Sequence, residues 1–159
     1  MLILCSLIAE FENHYQFQMK IISLSYENFC SKIRIENKPK FKSHGIRTSI
    51  FIDAKPEMAV AAAQCGADRV ELYTEPYADL YPTDPEKAIA PFIETAKAAK
   101  DAGLGLNAGH DLNLQNLEYF IRNIPWTDEV SIGHAVISDA LYMGLEKTIH
   151  EYLSKVKIF

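Results

Sequence analysis

Residues 103–112 read GLGLNAGHDL. A short apolar run interrupted by small residues closes on a histidine, and the same pattern returns in SIGHAV, Ser131–Val136. Both runs have the length and apolar content of buried strands, and each ends in a Gly-His pair. Between them LNLQNLEYFIRNI (112–124) carries helical spacing at Leu114, Leu117, Phe120 and Ile121. Two strands joined by a helix make a βαβ unit, which requires the strands to run parallel.

The same alternation extends in both directions. Upstream, IRTSIFID (46–53) is a β-branched apolar run, followed by an Ala-rich helix that starts at Pro56 and stops at Gly66. DRVELYT (68–74) is the next strand. Thr83-Asp84-Pro85 opens a helix that runs to Gly103, with Pro91 expected to kink or split it. Downstream of EVSIG (129–133), Ser138-Asp139 is expected to cap a last helix with Leu141, Leu145, Ile149 and Leu153 on one face. From Gly45 to Phe159 the order is β-α-β-α-β-α-β-α, an α/β fold with a parallel sheet. Either an open doubly wound sheet or a slice of a TIM (β/α)8 barrel fits. A full barrel takes roughly 250 residues, so this stretch would be about half of one.

The first 44 residues differ in composition. All seven glycines lie at or after Gly45, all eight aspartates at or after Asp53, and Ala9 is the one alanine before Gly45. LILCSLIAEF (2–11) reads as a short helix and KIISLSY (20–26) as a strand, with no clear period around them. The division expected is an unassigned segment over 1–44 and four βα units over 45–159.

The totals narrow the function. A formal net charge of −5 leaves no basic footprint for nucleic acid. Cys5, Cys30 and Cys65 are widely spaced without a CxxC, which suits thiols in a reducing cytoplasm better than a disulfide framework or a zinc knuckle. LILCSLIA is too short to span a bilayer and lacks a basic stretch before it, so neither membrane nor export is expected. No HExxH, P-loop, GxGxxG or GxSxG is present, and no metal triad can be assigned.

In either parallel fold the chemistry gathers at the C-terminal strand ends. Those ends carry Asp53, the stretch Glu71–Glu75, Asn107–Asp111, and Gly133-His134. His110 and His134 fall on consecutive βα turns and so on one face, within reach of one substrate. Glycine permits close backbone approach to a ligand, and histidine supplies an acid–base group. Amides at Gly133-His134, leading into a helix, suit a phosphate. Period-2 alternation turns Glu71 away from Val70 and Leu72 to the inner side of the sheet, where a carboxylate needs either an arginine partner or a use. Asp53 is read as a helix cap, and Tyr73, Tyr77 and Tyr81 as packing or loop cover.

Taken together, GIRTSIFID, DRVELYTEPYA, GLGLNAGHDLN and EVSIGHAVISDALYMGLE resemble the pyridoxine 5′-phosphate synthase family of vitamin B6 biosynthesis, in order and from about Lys40 onward. The resemblance implies a cytoplasmic (β/α)8 barrel, typically an octamer, that condenses 3-amino-2-oxopropyl phosphate with 1-deoxy-D-xylulose 5-phosphate without metal or redox cofactor. It further implies a catalytic proton donor at His110 and a transition-state carboxylate at Glu71. Asp111, Gly133 and His134 would hold the amino-ketone phosphate. The family's first four strands, with an Asn-x-Asp-His segment, arginines for substrate phosphate and a glutamate base, have no counterpart in residues 1–44. The chain is therefore expected to be a C-terminal half, about strands five to eight, preceded by an unrelated segment. A frameshift, a misjoined gene or a natural truncation would each produce it, and the fragment is expected to be inactive alone. Another phosphate-binding barrel enzyme, or a non-catalytic half-barrel that pairs with intact subunits, are the competing readings.

Overall fold

The computed structural model describes residues 2–3, 43–45 and 47–156. Among the described residues five parallel strands form one sheet in the order β1-β5-β4-β3-β2. The strands are β1 (Leu2–Ile3), β2 (Ser49–Ile52), β3 (Arg69–Leu72), β4 (Gly105–Ala108) and β5 (Glu129–Ser131). The intervening helices are α1 (Pro56–Gln64), α2 (Glu75–Leu80), α3 (Pro85–Asp101), α4 (Leu117–Asn123), α5 (His134–Met143) and α6 (Leu145–Val156). The four strands read from the sequence after Gly45 are all present, each shorter than its apolar run. The two-residue β1 pairs with β5, so the helix expected at 2–11 does not include Leu2 and Ile3. The remainder of that helix, and the strand expected at 20–26, lie outside the described residues.

Alternation sorts the side chains onto two faces. One carries Ile52, Val70, Leu72, Leu106, Ala108 and Val130, all buried. These join Met58, Ala59 and Ala62 of α1, Phe92 and Ala96 of α3, and Phe120 and Ile121 of α4 in a single hydrophobic core. The alanines of α1 and α3 let the helices lie close to the sheet and to each other. Fully burying each of the larger side chains contributes about 1.5–3 kcal/mol. The other face carries Ser49, Phe51, Arg69, Glu71, Gly105, Asn107, Glu129 and Ser131 in register.

Two aspartates just ahead of strands fix that register. Asp68 Oδ2 accepts hydrogen bonds from the Thr48 amide and hydroxyl, both at 2.8 Å, and Asp128 Oδ2 accepts the Leu106 amide at 2.8 Å. In each case a carboxylate holds the backbone N–H at the start of the neighbouring strand, where the ladder has not yet begun.

Several local expectations are corrected. α3 runs unbroken through Pro91, which lies exposed inside the helix at the end of its second turn, with Asp84 accepting the Lys87 amide as the predicted cap. Asp53 caps nothing: the N-cap of α1 is Lys55, whose ammonium lies 3.4 Å from the Asp53 carboxylate. The helix expected over 112–124 begins only at Leu117, because Asn113 and Asn116 side chains bond the local amides and hold a turn instead. Helix α5 begins at His134 with Gly133 as N-cap, not at Ser138-Asp139. Gly144, at φ +81°, separates α5 from α6. That break places Leu141 and Leu145 in solvent and buries Thr148 and Tyr152 instead, and Asp139 accepts the Tyr152 hydroxyl at 2.7 Å. The short helix α2 was not anticipated. Its Tyr77 is fully buried against Tyr81, Phe92 and Phe120. Tyr81 stacks edge-on to Tyr119, and Tyr73 lies beside Phe51, so the three tyrosines pack as expected.

Candidate active site

The C-terminal ends of β3, β4 and β5 converge on the two histidines. His110 follows β4 and His134 opens α5, and their rings meet edge to face with centroids 5.4 Å apart. The shared reach expected from consecutive βα turns is thus realised. Gly109 has a more local reason than ligand approach. A Cβ there would stand 2.0 Å from the Ser131 carbonyl oxygen, so the chain leaving β4 passes directly against the backbone of β5. Glycine at 109 lets the two strand ends, and hence the two histidines, come together.

His110 is braced on one side. Its Nδ1 lies 2.9 Å from Asp111 Oδ1, a hydrogen bond the carboxylate accepts. Asp111 is itself gripped by Thr74 at the end of β3. The Asp111 amide donates to Thr74 Oγ1 at 3.1 Å, and the Thr74 hydroxyl donates to Asp111 Oδ2 at 3.2 Å. Further along, Asn116 Nδ2 donates to the Asp111 carbonyl, and the buried Tyr77 hydroxyl donates to the Asn116 carbonyl at 2.8 Å. Burial pushes the Tyr77 phenol well above its ordinary range, so it serves as a fixed donor. The loop carrying His110 is pinned to β3 and α2 at several points.

Glu71 lies on the inner face, 6 % exposed, in register with Phe51 on one side and Asn107 on the other. Burial raises its carboxyl above the ordinary 4.5; His110 pulls in the opposite direction and the Glu129 carboxylate reinforces the rise. The arginine partner that would have made it a structural ion pair is engaged elsewhere. Arg69 donates to Asn107 Oδ1 at 3.0 Å and lies 3.2 Å from Asp128 and 4.0 Å from Glu129. Arg47 donates to both Glu129 oxygens, at 2.9 and 3.0 Å. Among the described residues the Glu71 carboxyl has no hydrogen bond or ion pair. Gly105 makes this possible, since a Cβ there would press on the Arg69 side chain at 2.7 Å.

Sequence reading singled out Glu71, His110, Asp111, Gly133 and His134. Glu71, His110, Asp111 and His134 gather at these strand ends, with Gly133 capping the first turn of α5 beside them. Asp53 stays on the exposed end of β2, paired with Lys55. Arg69, Glu129 and Arg47 were missed, and Thr74 and Asn107 were placed at the strand ends without a role. Counting back and across from Glu71 in steps of two would have found Arg69, Asn107 and Glu129, because the same alternation places them on its face. The carboxylate that braces His110 belongs to its sequence neighbour, Asp111. Among the described residues no three His, Cys, Asp or Glu side chains come together to hold a metal ion. The first turn of α5 carries no side-chain cap and no acidic residue, leaving its amides available to an anion.

Comparison with known proteins meets this geometry at residues 28–158, which match the family model of the pyridoxal phosphate biosynthesis protein PdxJ. The chain belongs to that family. The match begins upstream of the change in composition at Gly45. Proteins named pyridoxine 5′-phosphate synthase are its relatives: that of Bacteroides thetaiotaomicron is 69 % identical over 113 residues, 71 % of this chain and 48 % of the relative. Those of Cytophaga hutchinsonii and Porphyromonas gingivalis are 55 % and 47 % identical over 135 and 137 residues, 85 % and 86 % of this chain. The chain spans about half the length of the curated relatives it matches. Among the described residues no helix is long and apolar enough to cross a membrane.

Proposed function

We propose that this chain carries the proton-transfer and phosphate-binding corner of a pyridoxine 5′-phosphate synthase, corresponding to strands five to eight of a (β/α)8 barrel. The observation that carries the reading is the cluster of His110, His134 and Glu71 at adjacent ends of parallel strands. One carboxyl is held above its usual range, one histidine is braced by a carboxylate, and a second histidine touches the first.

The chemistry fits. Condensing an amino ketone with a ketose phosphate proceeds through imine formation, loss of water, loss of phosphate and ring closure, and each step moves protons. His110, with Nδ1 tied to Asp111, offers Nε2 for donating and receiving them. Glu71 faces the same space with its carboxyl raised above the ordinary range by burial, able to donate a hydrogen bond to a developing oxyanion when protonated and to stabilise a developing cation when ionised. The amides of Gly133 and His134 open α5 toward the ends of the strands and suit the amino-ketone phosphate, with Asp111 at the amine or hydroxyl side of that substrate.

We infer that the remaining groups come from the other half of such a barrel, since the chain spans about half the length of the curated relatives it matches. With β2 and β1 at the two edges of the sheet and, among the described residues, no further strand closing the polar face, the chain alone is proposed to be inactive. It acts when its inner face is completed, within a cytoplasmic homo-oligomer. Two assays test this. Purified chain given 3-amino-2-oxopropyl phosphate and 1-deoxy-D-xylulose 5-phosphate should form no pyridoxine 5′-phosphate. Titration of 3-amino-2-oxopropyl phosphate into 15N-labelled chain should move the Gly133, His134 and Ala135 amide signals saturably. Turnover by the isolated chain would refute the first part, and amides unmoved at millimolar ligand the second.

A further inference from the structure

Thr74 stands where a helix cap is expected and does not act as one. It is the N-cap residue of α2, a position at which threonine normally accepts an amide of the first turn, yet its side chain makes no such bond. The hydroxyl is fully buried and is directed to Asp111 instead. The geometry is directional. The Asp111 amide occupies an acceptor site of Oγ1, which leaves the hydroxyl proton to point at Asp111 Oδ2. With Oδ2 held in this way, Oδ1 faces His110 Nδ1 at 2.9 Å. Three side chains from two strand ends thus form a relay that terminates on the ring of His110.

We propose that Thr74 is a positioning residue for His110: by fixing the Asp111 carboxylate on Nδ1, it holds the imidazole in its Nδ1–H tautomer and reserves Nε2 for proton exchange with substrate. The inference rests on the reading of His110 as the acid–base group and names what orients it. A cap diverted from its helix has to be compensated, and here the return is a carboxylate with one oxygen directed at the imidazole. His110 also faces Glu71 from β3 and the His134 ring from α5. Neither of these is among the hydrogen-bond partners of Nδ1, so the choice of tautomer falls to Asp111 and, through it, to Thr74.

The test reads the tautomer directly. Ring 15N chemical shifts of His110 in the full chain, at a pH where the ring is neutral, distinguish Nδ1–H from Nε2–H. The wild type should show a protonated Nδ1 and a bare Nε2. Thr74→Val keeps the volume and removes the hydroxyl, and should shift the tautomer ratio by about tenfold toward Nε2–H, the scale of one charge-assisted hydrogen bond. Thr74→Ser restores the hydroxyl and should restore the wild-type pattern. Should Thr74→Val fail to fold, Asp111→Ala, on a half-buried loop, should show the same loss of preference. A wild-type ring protonated at Nε2, or a pattern unmoved by Thr74→Val or by Asp111→Ala, overturns the proposal. Failure of the functional reading looks different: the tautomer responds as expected, but a reconstituted barrel turns over equally well with His110→Ala.

Discussion

On the helix-covered face of the sheet Val70, Leu72, Leu106 and Ala108 are inaccessible to solvent, and one residue away on the same strands Glu71 and Asn107, with Glu129 on β5, are nearly as inaccessible and polar. Both sets of residues are removed from solvent, but only the apolar set repays desolvation with packing alone. On the other, each buried polar group needs a partner. Glu129 has Arg47 and Arg69, Asn107 has Arg69 and Glu129, and Asp111 has Thr74 and His110. Among the described residues the exceptions are the Ser49 hydroxyl at the start of β2 and the Glu71 carboxyl, and of the two it is Glu71 that lies beside the histidines. The contrast separates what makes the chain fold from what it is folded to do. Well-satisfied groups mark the scaffold of the inner face, and the carboxyl left without an ion pair marks its working end.

The comparison can be broken most forcefully on the dry face. Phe120→Ala, which removes a ring packed on Tyr77 and Phe92, should cost about 3–5 kcal/mol in urea unfolding. Gly109→Ala puts a Cβ into the β5 backbone and should cost about 3 kcal/mol, while displacing the His110 ring signals from those of His134. On the inner face, Glu129→Ala leaves Arg69 with Asp128 and Asn107 only and should cost about 1–3 kcal/mol, with the loss reduced in high salt because Arg47 is half exposed.

Glu71 should behave in the opposite sense. Its folded carboxyl is raised above the unfolded value, so the group favours folding most when protonated and loses that contribution as pH rises through the folded pKa. Glu71→Gln should therefore match the wild type in acid below pH 4.5 and become the more stable protein at neutral pH. Paired urea titrations at the two pH values check this; a wild type that stays the more stable at neutral pH would show that Glu71 has a structural partner after all. The smallest effect is expected at Tyr142, 91 % exposed, where Tyr142→Ser should stay within about 0.5 kcal/mol.

Much of this was legible in the sequence, and the parts that were not share a cause. Period-2 and period-3.6 patterns report which side of an element is dry, and they located β2 to β5, α1 and α3, and the inward face of Glu71. They say nothing about polar groups that satisfy one another. The diverted Thr74 cap and the Asp68 and Asp128 clamps arise from side chains bonding backbone across long separations, which no local window contains, and the turn at Asn113–Asn116 is made by short-range side-chain bonds that leave no mark on hydrophobic periodicity. The last helix failed for a different reason. Leu141, Leu145, Ile149 and Leu153 have a helical spacing, but Gly144 resets the phase between α5 and α6 and the buried stripe passes to Thr148 and Tyr152. The histidines were placed correctly because topology alone brings consecutive strand ends of a parallel sheet together.

The most direct test of the account is complementation. The chain would be co-purified with the N-terminal half of the Bacteroides thetaiotaomicron relative, and pyridoxine 5′-phosphate formation followed from the two phosphorylated substrates. The account predicts no product from either half alone, product from the pair, and loss of that product with His110→Ala or Glu71→Gln. Product from the 159-residue chain by itself, or a pair that works equally well without His110 and Glu71, would contradict it.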